Sequence, residues 1–177
     1  KGYSFPNDTL FYAIIDMSLN AGLGAVVQKN IFITKGLSEG LAISHQLPSG
    51  CRWLVATGIN GNVYTLKRWL ISDSGISGST NLASYNMASN IISAPKKTIL
   101  SHDNSKVAMC TWNSDPLNAD ILLWDFNLLQ GTVSNMQTFN VSSQAVLGIE
   151  FSPDNTKIYY QTNTSPSSAT SEVGRVD

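Results

Sequence analysis

Ile99-Leu100-Ser101-His102-Asp103-Asn104-Ser105-Lys106-Val107-Ala108 and Glu150-Phe151-Ser152-Pro153-Asp154-Asn155-Thr156-Lys157-Ile158-Tyr159 share one pattern: apolar, Ser, any residue, Asp, Asn, Ser or Thr, Lys, then a strand former. Ser101 and Ser152 stand 51 residues apart. Self-similarity at a fixed period outranks every other sequence signal, because it fixes the architecture. Asp-Asn ahead of Ser/Thr-Lys builds a tight turn: Asx side chains bond their own backbone and tolerate positive φ. Short runs rich in Val, Ile, Tyr, Phe and Trp flank each turn and read as strands. Each Ser-x-Asp-Asn turn therefore joins two antiparallel neighbours.

A second mark recurs in another phase. Tyr12–Asp16 leads to Gly22, Val63–Trp69 to Gly75, and Ile121–Asp125 to Gly131, each an apolar strand followed six residues later by glycine. The glycine spacings are 53 and 56 residues. Asn60-Gly61, between Trp53–Thr57 and Asn62–Leu70, is a strong hairpin signal. The matching connections, residues 113–118 and 163–170, are longer and rich in polar residues, as expected where a repeat carries its insertions.

One unit then holds four strands, in the first case about Ala25–Thr34, Leu41–His45, Arg52–Thr57 and Asn62–Ser72. The expected division is an orphan strand over 10–18, a unit over about 25–72, a second over about 77–127 and a partial third over about 132–177. Leu82–Ile92 reads as a loop or irregular strand, because Ser84, Asn86, Ser89 and Asn90 work against a helix. Four antiparallel strands per repeat of roughly fifty residues is the unit of a β-propeller. The expected fold is all-β, a partial β-propeller of about three four-stranded antiparallel blades, with a β-sandwich as the competing architecture. Rings usually close with about 4–8 blades, so the chain is expected to be a fragment of a longer array.

Phe151-Ser152-Pro153-Asp154-Asn155-Thr156-Lys157-Ile158-Tyr159-Tyr160 resembles the blade signature of YVTN-type and related WD-like propellers, with Asn155 where that family usually has Gly. Asn is the next best residue for that backbone. Tyr12 to Asn30, Gly50-Cys51-Arg52-Trp53-Leu54-Val55, Leu123-Trp124-Asp125-Phe126 and Gly131-Thr132-Val133-Ser134-Asn135 resemble propeller regions of large secreted or cell-surface proteins of gliding and related Bacteroidota. The resemblance spans most of Tyr12–Thr162. It implies an exported, extracellular or cell-surface location and association with the type IX secretion system.

Composition narrows the function. Of 177 residues 42% are hydrophobic and only 13% charged, with a formal net charge of −1. That charged fraction is about half the usual ~25%. Without a basic field, nucleic acid is not an expected partner. No apolar run reaches the ~20 residues of a membrane helix, so no membrane insertion is expected. Lys1–Pro6 does not read as a signal peptide. Cys51 and Cys110 each lie in an apolar run and read as buried or free thiols, with one bridge as the alternative.

The candidates for chemistry each have a plainer reading. His45 and His102 lie near a strand end and the following turn, where neighbouring repeats can bring them to one face as a metal or acid–base pair; the plainer reading is two polar turn residues. Asp103 and Asp154 are paired rim carboxylates or the residues the turn demands. Asp16 and Asp125 recur at one phase, with Trp69 between them, and read as strand-end caps or cation ligands. Trp53, Trp69, Trp112 and Trp124 form a sugar platform or pack between repeats. Asn7-Asp8-Thr9, Asn140-Val141-Ser142 and Asn163-Thr164-Ser165 fit the glycosylation pattern, which matters only in a eukaryote. Gly22-Leu23-Gly24 is too short for a phosphate loop. No catalytic, cofactor-binding or metal-binding residue is assigned.

Two functional expectations follow. The first is a non-catalytic propeller module of an exported bacterial protein, binding a protein, a polysaccharide or the secretion and surface machinery, with the remaining blades of the same parent as further partners. The second is a hydrolase or lactonase-like propeller whose site is completed by other blades.

Overall fold

The computed structural model describes residues 8–61, 63–86, 93–113, 119–141, 145–163 and 171–176. The described chain is all-β. It forms two compact units, residues 1–37 and 38–177.

In the first unit, β1 (Asp8–Asp16) pairs antiparallel with the leading part of β2 (Ala25–Ile43), Phe11 opposite Phe32 and Asp16 opposite Ala25. The Asp16 carboxylate accepts the Ser18 amide at 2.9 Å and the Ser18 hydroxyl at 2.7 Å, which ends the strand. The strands expected over Ala25–Thr34 and Leu41–His45 are one continuous strand as far as Ile43. No turn chemistry interrupts Lys35–Gly40. Gly36, at φ +76°, instead supplies the extra residue of a bulge between Thr9–Lys35 and Asp8–Leu37.

The second unit holds three antiparallel groups. In the first, the end of β2 neighbours β3 (Arg52–Asn60), which pairs with β4 (Val63–Ser72), which pairs with β6 (Thr80–Asn86). The two-residue β5 (Gly75–Ile76) lies on the end of β4. The second group runs β7 (Ser93–Leu100), β8 (Lys106–Asn113), β9 (Asp120–Asn127), β10 (Thr132–Asn140). The third runs β11 (Ala145–Phe151), β12 (Ile158–Asn163), β13 (Ser171–Val176), and one bridge joins Ala145 to Trp112.

Hydrogen bonding therefore divides the chain in a different phase from the one expected. β6 belongs with β4 and β10 with β9, so the groups cover residues 38–86, 93–140 and 145–176 rather than 25–72, 77–127 and 132–177. Gly131 at φ +63° makes the reason plain. The glycine closes a hairpin that turns the next strand back onto the one before it, so it lies inside a group. The strand expected over 10–18 is β1, and it has β2 as its partner. The expected loops at 114–118 and 164–170, and 87–92 of the segment beginning at Leu82, lie outside the described residues.

Alternation along β8 and β9 sets the core. Val107, Met109, Leu122, Trp124 and Phe126 point to one face, where they meet Val55, Tyr64 and Leu66 of the first group. Ala108, Cys110 and Ile121 point to the other, where they meet Val146, Ile149, Phe151 and Ile158 of the third. The middle sheet is thus covered on both faces. Each fully buried large side chain is worth roughly 1.5–3 kcal/mol. At Gly40 a Cβ would stand 2.7 Å from the Lys97 carbonyl carbon, so the close approach of β2 to β7 requires glycine.

A polar clasp ties the first group to the β9–β10 hairpin. Trp53 Nε1 donates to the Leu128 carbonyl at 2.8 Å, and the Arg68 guanidinium lies 4.4 Å over the Trp53 ring and donates to the Gln130 carbonyl. A Cβ on Gly131 would meet that guanidinium and come within 2.5 Å of the Trp53 ring. Gly131→Ala is expected to destabilise the protein by about 1–3 kcal/mol, from both the crowding and the positive φ. Urea denaturation measures this, and an unchanged midpoint contradicts the clasp.

Candidate functional site

The two Ser-x-Asp-Asn turns have the same bonding. Ser101 N donates to the Lys106 carbonyl at 3.0 Å and the Lys106 amide donates to Ser101 Oγ at 2.9 Å; Ser152 and Lys157 repeat both bonds at 2.9 Å. Ser101 Oγ donates to Asp103 at 2.7 Å and Ser152 Oγ to Asp154 at 2.5 Å. Each aspartate also accepts the backbone amide and hydroxyl of the residue two further on, Ser105 or Thr156. Asn104 and Asn155 take positive φ, 56° and 59°.

The asparagines reach beyond their own turns. Asn104 Oδ1 accepts the His45 amide at 2.5 Å, and Asn155 Oδ1 accepts the His102 amide at 2.8 Å. In each case the donor is the residue after a serine in the preceding group. A third copy of the turn thereby becomes visible. Ser44 N donates to the Trp53 carbonyl and Ser44 Oγ accepts the Trp53 amide, both at 2.8 Å, as Ser101 does with Lys106. Residues 45–52 lack Asp-Asn-Ser/Thr-Lys and carry a longer loop, so the Ser44 copy leaves no mark in the motif. The recurring Ser-His of Ser44-His45 and Ser101-His102 was its one sequence signal.

His45 and His102 line one open groove of about 290 Å³, together with Leu41, Ile43, Lys97 and Glu150. A ring nitrogen of His102 lies 3.3 Å from the Phe151 carbonyl. Lys97 Nζ donates to the Ile149 carbonyl at 3.0 Å and stands 3.5 Å from the Glu150 carboxylate, so its charge is partly matched. The groove offers two imidazoles beside an apolar bank. Among the described residues no three His, Cys, Asp or Glu side chains gather to hold a metal ion.

The other candidates separate. Asp103 and Asp154 are spent within their turns. Asp16 caps the end of β1, whereas Asp125 takes an ion pair from Lys106 at 2.9 Å and a hydrogen bond from Asn135 at 2.7 Å. Trp69 and Trp124 are buried, and Trp53 is held in the clasp, so these three form no open platform. Cys51 and Cys110 are both free thiols; burial pushes the Cys110 thiol up to about 11. Asn140 is exposed, while Asn7 and the side chain of Asn163 lie outside the described residues. Sequence reasoning missed the reach of Asn104 and Asn155, and also Lys97 and Glu150, which carry no motif.

No protein-family model matches the chain, and no curated protein does. Among solved structures it is similar to Sqt1 from Chaetomium thermophilum, at 14% identity and a TM-score of 0.45. That match covers 85% of this chain and 34% of the other, so the chain spans about a third of the length of Sqt1.

Hydrogen bonds from Ser152, then from the Thr156 amide and hydroxyl, lower the Asp154 carboxyl to about 2. The same kinds of bond lower Asp103. A carboxyl lowered on folding stabilises the folded turn above its unfolded value of about 3.9 and loses that contribution as pH falls toward its folded value. The Thr156 amide is therefore expected to keep its exchange protection at pH 5 and to lose it between about pH 4 and pH 2. An NMR pH titration reads both quantities, and an Asp154 midpoint near the unfolded value contradicts the bonding described.

Proposed function

We propose that the chain is part of a β-propeller and serves as a non-catalytic binding module, for a protein or a polysaccharide, in an exported bacterial cell-surface or secreted protein. Three stacked antiparallel groups, repeated turns and identical Asn-to-amide links support the propeller. Export rests on the low charge and on the resemblance to secreted Bacteroidota proteins, which also suggests the secretion machinery as a partner. One observation carries the non-catalytic reading: the acidic residues and asparagines that recur with the repeat are used up in turns and links between groups.

The groove holding His45 and His102 favours a second reading, a hydrolase or lactonase-like enzyme whose remaining groups come from elsewhere. Turnover of ester and lactone substrates by the intact protein, with and without added Zn²⁺ or Ca²⁺, separates the two. A binding module is expected to give no rate above buffer. A rate that falls about a hundredfold in the His45→Ala/His102→Ala variant, the size of a lost general acid or base, overturns the proposal.

A further inference from the structure

The β1–β2 hairpin leaves in water the side chains that its counterpart buries. Tyr12–Asp16 leads to Gly22 as Ile121–Asp125 leads to Gly131. The two hairpins also agree in register: Asp16 faces Ala25 and Asp125 faces Ser134, nine residues on in both. In that alignment Ile15 takes the place of Trp124, Ala13 that of Leu122 and Tyr12 that of Ile121. Trp124 is 3% exposed and Leu122 and Ile121 are fully buried, whereas Ile15 is 58% exposed. Phe11, Val26 and Phe32 are exposed as well, Val26 opposite Ile15 and Phe32 opposite Phe11.

The edges differ as well. β9 has β10 on one side and β8 on the other. Among the described residues, the Phe11–Asp16 part of β1 pairs with β2 alone. A two-stranded hairpin by itself is marginal in water. An apolar patch beside an open strand edge marks a place for strand addition.

The counterpart shows what belongs there. Opposite β9 lies the strand that begins with the repeat's lysine: Lys106 faces Asp125 and forms an ion pair with it, Val107 faces Trp124 and Met109 faces Leu122. The same alignment places Asp16, whose carboxylate bonds Ser18 through one oxygen, where that lysine would arrive. A second copy of the chain has no such strand to give. β8 is paired on both edges, by β7 and β9, and β12 by β11 and β13.

We propose that the open edge of β1 receives, antiparallel, the Lys-led strand of a further repeat of the same type from outside these 177 residues, in the register that sets its lysine opposite Asp16. The proposal rests on reading the chain as part of a repeat array. It makes the hairpin an interaction surface, with Asp16 setting register and Ile15 and Phe11 supplying apolar area.

The probe is a synthetic peptide with the sequence of Glu150–Asn163, which carries both the turn and the Lys-led strand, added to the intact chain. Hydrogen exchange at Phe11–Ile15 is expected to slow at least about tenfold at saturation. Asp16→Lys is expected to abolish that slowing, and a peptide carrying Lys157→Asp to restore it. Exchange that does not slow, slowing that ignores the charge at residue 16, or a chain whose hairpin is already protected by self-association overturns the proposal. Turnover at the His45–His102 groove leaves this result unchanged, so failure of the binding-module reading and failure of the strand addition are separable.

Discussion

The side-chain carbonyl of Asn104 accepts the backbone N–H of His45, 59 residues earlier, and that of Asn155 accepts the N–H of His102, 53 residues earlier. The Asn104 side chain is buried, and leaving its carbonyl without a partner costs about 1–3 kcal/mol, so that link is held in place by the penalty for breaking it, whereas the Asn155 link lies at the surface. Asn104 also donates through Nδ2 to the Ser101 carbonyl at 2.9 Å. One amide thus closes its own turn and fixes the preceding group. Glycine permits the positive φ needed here but has no amide to reach with. Asn is therefore more than a substitute for glycine at Asn104 and Asn155.

Stacking depends on these links because the middle sheet has apolar side chains on both faces. Val107 and Met109 need the first group, and Ala108 and Cys110 need the third. The links hold one end of each interface, and the Trp53–Arg68 clasp adds a second tie to the first. Thr57 and Thr98, both buried, share a hydrogen bond of 3.0 Å within that same interface. The groove with His45 and His102 is a consequence of this arrangement: the links align the residue after each serine, and in two of three copies that residue is histidine. In the third it is Pro153, which has no N–H to donate.

Strands, turns and their repetition were legible in the sequence, because Asp-Asn at Asn104 and Asn155 and glycine at Gly131 have local conformational preferences that act without tertiary help. The grouping of strands was not legible. Whether the strand after Gly131 turns back onto β9 or begins a new sheet depends on hairpin register and on which faces are covered, and both are non-local. The continuity of β2 was hidden for a related reason, since Gly36 reads equally well as a break or as a bulge. Of the candidate site, the two histidines were legible by position. Lys97 and Glu150 were not, because their place at the groove depends on β7 and β11 running side by side.

Amide hydrogen exchange at His45 and His102 tests the links most directly. Both residues sit on turns at the surface, where an amide without a partner exchanges freely. The account predicts protection at both positions comparable with that of Ile99 and Ala108 in the neighbouring strands, falling at His45 alone in Asn104→Ala and at His102 alone in Asn155→Ala. Exchange at the rate of an open turn in the unaltered protein would contradict it.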